Sequence, residues 1–306
     1  MTVIVTGATG QYGRALTRLL LERLEPSELI LTTRKPELLA DLAVRGCQVR
    51  FASFDEPDGL PAAFEGGDKM LVISTARVGR RVGQHGAAFT AAKAAGVRHI
   101  AYTSFIGLHD GNPALVTRDH RATEALMRAS GLHWTALRDS QYAEAASEVI
   151  VPTALRAGGW FSSSGEGKIA MVSRADCVAC AAAVLTTPGH EDKVYEITGP
   201  ELMSYREICA MASEIAGRVI AYHAIDDEQM LAFFDAAGVP REASDDPANA
   251  DIPRSSDDMV SFEAAIRGGH FAILTDHVQR LTGRPATPLR AVLEAHANAW
   301  PATAVA

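Results

Sequence analysis

Short apolar runs alternate with amphipathic stretches over the first 140 residues. Val3-Ile4-Val5, Leu29-Ile30-Leu31, Val49–Phe54, Met70–Ile73, His99–Ser104 and Trp134–Leu137 read as strands. Most are apolar at successive positions, as a strand must be when both faces of its sheet are covered. Between them lie segments of helical spacing. Gln11–Leu24 carries a stripe of Leu16, Leu19, Leu20 and Leu24, and Pro36–Arg45, Leu60–Phe64, Gly86–Ala95 and Ala122–Ala129 follow. Strand–helix repetition at this interval predicts right-handed crossovers and a doubly wound, parallel α/β sheet.

Beyond Arg138 the pattern loosens. Helices are expected near Glu144–Arg156, Ala175–Leu185, Tyr205–Ala216, Asp227–Ala237 and Pro288–Ala297, with a strand at Lys193–Ile197. Gly158–Gly167 reads as a Gly/Ser loop. Arg241–Asp258, rich in Asp and Pro, reads as a loop serving either as a lid or as a plain surface excursion. The chain divides into a first unit, residues 1–150, and a smaller α/β lobe, residues 151–306, interleaved with the sheet through a strand at 193–198. No internal repeat is visible.

The sharpest local signal is Thr6-Gly7-Ala8-Thr9-Gly10-Gln11-Tyr12-Gly13, directly after the first strand and opening the first helix. Gly7 permits the tight turn, Gly10 lets the backbone approach a pyrophosphate, and Gly13 lets helix and strand pack closely. An anion there would lie at the positive end of the helix. The other reading is a strand–helix junction that holds no ligand. The second strand runs into Arg34 and Lys35, where a site for an unphosphorylated ribose usually has a carboxylate. A guanidinium suits a 2'-phosphate, so NADPH is favoured over NADH; alternatively, both cations merely solvate a helix entry.

Composition narrows the function. The 306 residues are 47% hydrophobic with a formal net charge of -8, which suits one large core and argues against a wide nucleic-acid footprint. The dense basic cluster Arg77, Arg80 and Arg81 reads as a solvated loop. No run of 18 apolar residues suggests a membrane span, and the N-terminus reads as a strand rather than a signal peptide, so a cytoplasmic location is expected. Cys177 and Cys180 form a C-x-x-C without a second ligand pair. They read as buried thiols on one helix, with a redox dithiol as the alternative, and no metal centre is expected.

These motifs resemble the NmrA-like atypical short-chain dehydrogenases, of the quinone reductase and triphenylmethane reductase type. The resemblance runs from residue 1 to about 290. It rests on the glycine turn, Thr33-Arg34-Lys35-Pro36, Gln84-His85, Ala91–Val97, Ile100–Ser104, Asp119-His120 with Thr123-Glu124, Leu137-Arg138 with Tyr142, and Gly167–Ala170 followed by Ser173–Asp176. It implies a Rossmann domain in which Gly7, Ala8, Thr9, Gly10, Gln11, Tyr12 and Gly13 hold the pyrophosphate and Arg34, beside Lys35, the 2'-phosphate. Ser74 and Thr75 would lie along the cofactor. The segment Asp139–Glu144, with Ser140, Gln141 and Tyr142, would line the nicotinamide end, with Arg174 nearby.

The chain departs from the commoner short-chain dehydrogenases in having no Tyr-x-x-x-Lys. In the isoflavone-reductase branch a Lys stands where this chain has His120. That His is either a proton donor or a capping or surface residue at a helix start. Tyr142 is either a stacking or donating group or a packing aromatic. So weak an acid–base apparatus suits a quinone, which accepts hydride readily and can take its proton from water. The expectation is therefore an NADPH-dependent reductase of a quinone or related conjugated aromatic, with no nucleic-acid or membrane partner and with monomer and homodimer both open. The alternatives are a reductase of a lignan-type ether or a carbonyl compound, and a non-catalytic NADP(H) redox sensor.

Overall fold

The computed structural model describes residues 1–243 and 255–301. Its centre is a seven-stranded parallel sheet of β1 (Val3–Val5), β2 (Leu29–Thr33), β3 (Gln48–Phe51), β4 (Lys69–Val72), β5 (His99–Phe105), β6 (His133–Asp139) and β9 (Lys193–Ile197), in the order β3-β2-β1-β4-β5-β6-β9. The order reverses beside β1, the switch point at which such sheets open a crevice at their carboxyl ends.

The apolar runs divide between the two faces with the period of two that a strand imposes. Val3, Val5, Leu29, Leu31, Leu71 and Leu137 face one core with α1 (Gln11–Leu20) and the later helix α8 (Arg174–Thr186). Ile4, Ile30, Met70, Val72, Ile100 and Tyr102 face the other. There they meet side chains from α3 (Leu60–Phe64), α4 (Arg81–Ala94) and α5 (Leu115–Ala129). The short α2 (Ala40–Val44) joins β2 to β3.

A third cluster underlies the C-terminal part, where helices pack around two small strand pairs. The chain passes from β6 through α6 (Ala143–Ala145), a π-helical turn at Ala146–Ile150, and α7 (Val151–Ala157) into β7 (Gly159–Ser162). β7 pairs in parallel with β11 (Ala221–Ala224), and β8 (Lys168–Ile169) pairs antiparallel with β10 (Met203–Ser204). α9 (Tyr205–Ala216), α10 (Asp227–Ala236), α11 (Ser256–Arg267) and α13 (Leu289–His296) complete this part, whereas α12 (His277–Thr282) packs against α8 and β9 and adds Val278 to the first core.

Several boundaries move. The first helix stops at Leu20, its last leucines unwinding into turns, while α4 and α5 begin five and seven residues earlier than their apolar spacing suggests. Gly158–Gly167 is not all loop: Trp160 and Phe161 favour extended backbone and form β7. The expected loop at 241–258 ends early, because Ser255 caps α11 by accepting the Asp258 amide. Residues 244–254 of that loop lie outside the described residues, as does any lid role for them.

Candidate active site

The glycine turn is built by contact. Gly7 sits at φ +60, and a Cβ on Gly13 would lie 2.5 Å from the Gly7 carbonyl oxygen and 2.7 Å from the Ala8 Cα. The turn is tied to the sheet by the Ala8 amide donating to the Thr32 carbonyl at 3.1 Å and by a 2.9 Å contact between the Thr9 and Thr33 hydroxyls. No side chain caps α1 at Gly10, and its first turn carries no acid. The leading amides of α1 therefore have no side-chain cap, an arrangement suited to an anion. Gln11 is exposed, and Tyr12 is buried with its hydroxyl donating to the Cys177 carbonyl at 3.0 Å. Arg34 and Lys35 stand exposed just beyond β2, with no ion pair among the described residues.

At the end of β4 the Ser74 amide donates to the Thr103 hydroxyl at 2.8 Å. The Thr75 amide donates to Nε2 of His85 at 3.2 Å, and the Thr75 hydroxyl to Gln84 at 2.7 Å. Arg81 is not the solvated residue its basic neighbours suggest. It begins α4, is buried, and donates to the carbonyls of Thr75 and Ala76 at 2.6 and 2.8 Å. Free carbonyls at a strand end draw the guanidinium inward.

These strand ends form the floor of a cavity of about 400 Å³. Ser74, Thr103–Phe105 and Asp139–Tyr142 contribute from β4, β5 and β6, while Trp160, Phe161, Met230, Phe233, Phe234 and Phe262 wall it from β7, α10 and α11. Thus Ser74, Ser140, Gln141, Tyr142 and His120 meet around one space. Gln141 accepts the Tyr205 hydroxyl at 2.8 Å, and the Ser140 amide donates to Ile197 at 2.9 Å. Thr75 and Arg174 are not among the residues that line it. The Arg174 amide donates to the Glu144 carboxylate, and its guanidinium lies 5.8 Å from the centre of the Tyr142 ring.

His120 is neither a helix cap nor a surface residue. It lies in the middle of α5, on the face turned to the sheet, and is only 3% exposed. Nδ1 is 2.7 Å from the Tyr102 hydroxyl, and Nε2 is 3.4 Å from Nη1 of Arg81. Burial, reinforced by Arg81 and His85, drives its pKa well below the ordinary histidine value. The ring is neutral at physiological pH: Nε2 accepts from the Arg81 guanidinium, which leaves its single N–H at Nδ1, against the Tyr102 hydroxyl. Tyr142 donates its hydroxyl to Oδ2 of Asp139 at 3.1 Å. Burial pushes the Asp139 carboxyl up to about 7, opposed by the Tyr142 hydroxyl and the Cys177 thiol.

Asp139 enters the sequence reading only as the edge of a segment, and Arg81, Glu263 and the phenylalanines of α10 and α11 do not enter it as site residues. The Phe233-Phe234 pair was a visible clue. Nothing in the local sequence marks Glu263, whose place depends on where α11 docks. Cys177 and Cys180 are fully buried free thiols in α8, and burial raises both thiol pKa values, which makes them poor nucleophiles. Among the described residues no three His, Cys, Asp or Glu side chains are grouped to hold a metal, and no helix is long and apolar enough to cross a membrane.

A family profile described as NAD(P)H-binding matches residues 7–188. Quinone oxidoreductase 2 of Escherichia coli is 34% identical over 287 residues, 94% of this chain and 96% of that protein. Its crystal structure with NADPH superposes with a TM-score of 0.86, covering 96% of this chain and 99% of that one at 31% identity. An NAD(P)H azoreductase of Xenophilus azovorans is 32% identical over 299 residues, 97% of this chain and 99% of that protein. The Citrobacter sp. triphenylmethane reductase complexed with NADP(H) gives a TM-score of 0.83 at 28% identity, covering 97% and 100% of the two chains.

Proposed function

The chain belongs to the NAD(P)H-binding, NmrA-like family of atypical short-chain reductases and is an NADPH-dependent oxidoreductase; we propose that its hydride acceptor is a quinone or a related conjugated aromatic. The observation that carries the reading is an aromatic-walled cavity of about 400 Å³ set against the carboxyl ends of β4, β5 and β6. That size suits a small flat ligand. Relatives named for quinone, azo and triphenylmethane substrates support the same class.

The residues present fit the cofactor. The absence of a side chain at Gly13 lets α1 pack close on Gly7 and Ala8, and the turn from Gly7 through Ala8, Thr9, Gly10, Gln11 and Tyr12 would take the pyrophosphate. Arg34 and Lys35 would take the 2'-phosphate, Ser74 and Thr75 would flank the bound chain, and Ser140, Gln141 and Tyr142, backed by Arg174, would border the nicotinamide. When bound, the reduced nicotinamide supplies a hydride.

The chain's own part is chiefly to orient and to exclude water. The phenylalanines of α10 and α11 hold a flat ring over the floor. A quinone that receives the hydride places the electron pair on its carbonyl oxygen, which then takes one proton. The neutral His120 ring, held by Arg81 at Nε2 and by Tyr102 at Nδ1, lines the cavity without supplying that proton, and Tyr142 holds the ring plane with its hydroxyl engaged by Asp139. Water supplies the net proton. The test is NADPH oxidation with benzoquinones, naphthoquinones and an azo dye. Acceptor-dependent oxidation well above background is expected. Tight NADPH binding with no acceptor turned over would overturn this reading and favour a redox sensor.

A further inference from the structure

Glu263 is a carboxylate that the reduction of a neutral ring does not require. It sits on α11 in the wall of the cavity, beside Phe262 and close to Phe161 and Phe233, whose rings stack at 5.4 Å. Its Oε2 accepts the Ser162 hydroxyl at 2.8 Å and the Ser163 amide. These bonds fix its position without neutralising it. Among the described residues it has no salt-bridge partner. The cation one turn further on, Arg267, is held by both carboxylate oxygens of Asp227 at 2.9 and 2.7 Å. Burial pushes the Glu263 carboxyl up to about 7, because Arg267, already paired with Asp227, does not offset its desolvation.

The other ionisable groups of the lining make the imbalance plain. Among the described residues of the lining, Asp139 is a second acid, His120 is neutral, and the cation present, Arg81, is turned toward the carbonyls of Thr75 and Ala76. Aromatic faces beside a carboxylate are the surroundings in which a positively charged nitrogen is stabilised, by the ring quadrupoles and by direct attraction together. A sulfonate or carboxylate on the ligand would be repelled by Glu263.

We propose that Glu263 is a specificity-determining residue: it gives the cavity a preference for aromatic acceptors that carry a positively charged nitrogen over neutral or anionic acceptors built on the same ring. This rests on the proposed reduction of conjugated aromatics and adds the charge of the substrate to it.

The experiment uses three naphthoquinones differing only in a side arm that ends in trimethylammonium, its neutral tert-butyl counterpart, or sulfonate. Each is assayed with NADPH on the wild type and on Glu263→Gln, in which the amide oxygen can still accept from Ser162 and Ser163. For the wild type, kcat/KM should favour the cation over the neutral compound by about tenfold, the worth of a partly desolvated cation site, and the sulfonate should be poorest. In Glu263→Gln the cation-to-neutral ratio should fall to near one. Equal kcat/KM for all three in the wild type overturns the proposal whatever the variant does, and so does a cationic preference that survives in Glu263→Gln. Quenching of Trp160 fluorescence by the same compounds in the presence of NADP+ reads binding without turnover. If no naphthoquinone is reduced yet the cation still binds better, the acceptor assignment fails and the charge preference stands.

Discussion

Tyr142 donates its hydroxyl to Oδ2 of Asp139 across 3.1 Å at the point where β6 ends and the cavity begins. The carboxyl is sealed between that hydroxyl and the Cys177 thiol, and burial lifts its pKa to about 7. A native carboxyl of raised pKa binds a proton that the unfolded chain releases at lower pH. Its stabilising contribution is therefore full in acid and is lost as pH rises through about 7. Asp139→Asn should accordingly gain stability relative to the wild type between pH 5 and pH 8, by on the order of 2 kcal/mol. Glu263 titrates in the same window in both proteins and cancels from the difference. Thermal unfolding across that range checks it; an offset independent of pH would contradict the burial argument.

Gly13→Ala tests the turn. The added methyl would press on the Gly7 carbonyl and the Ala8 Cα, backbone that cannot rotate away, so α1 must retreat from β1. NADPH affinity should fall by at least about tenfold, because the leading amides no longer meet the pyrophosphate at bonding distance. Calorimetric titration measures it. An unchanged Kd would mean that the close approach of helix and strand has no part in binding.

Glu124 belongs to the framework rather than to the chemistry. Buried on α5, it accepts from the Ser104 hydroxyl at 2.7 Å, from Arg138 at 2.9 Å through both Nε and Nη2, and from Arg128 at 2.7 Å. Burial would raise its pKa, but these partners outweigh it and hold the carboxyl below its usual value. Glu124→Ala leaves Arg138 without its main partner and should destabilise the fold by about 3 kcal/mol. The NADPH Kd of the surviving folded protein should be unchanged. Denaturant unfolding checks the first expectation and titration the second.

His120→Gln removes the imidazole but keeps an amide that can accept from Arg81 and donate to Tyr102. Because the buried ring is already neutral, turnover with a quinone should fall by less than about tenfold, below the range that general acid catalysis contributes. The pH profile between 6 and 8 should keep its shape. A loss beyond about a hundredfold would instead make His120 a true proton donor.

The sheet was legible because its strands are continuous apolar runs, and Val3-Ile4-Val5 shows why: alternate residues serve opposite cores, so every position must be apolar. The glycine turn was legible because each glycine answers a local demand of backbone geometry. The cavity wall was not. Phe233, Phe262 and Glu263 come together through the packing of α10 against α11, and no short-range pattern encodes that meeting. Arg81 misled for the same reason: its charge suggests solvent, while the carbonyls that capture it lie five and six residues earlier in the chain. The burial of His120 likewise follows from α5 lying on the sheet beside Tyr102.

The opening turn and Arg34 together are expected to capture a phosphorylated nicotinamide dinucleotide. Parallel calorimetric titrations of NADPH and NADH against the wild type and Arg34→Ala test it most directly. Two charge-assisted hydrogen bonds to a 2'-phosphate correspond to about a tenfold to hundredfold preference. The wild type should therefore bind NADPH more tightly than NADH by that factor, and Arg34→Ala should bring the two Kd values together chiefly by weakening NADPH. Absence of measurable binding of either dinucleotide by the folded wild type would contradict the account.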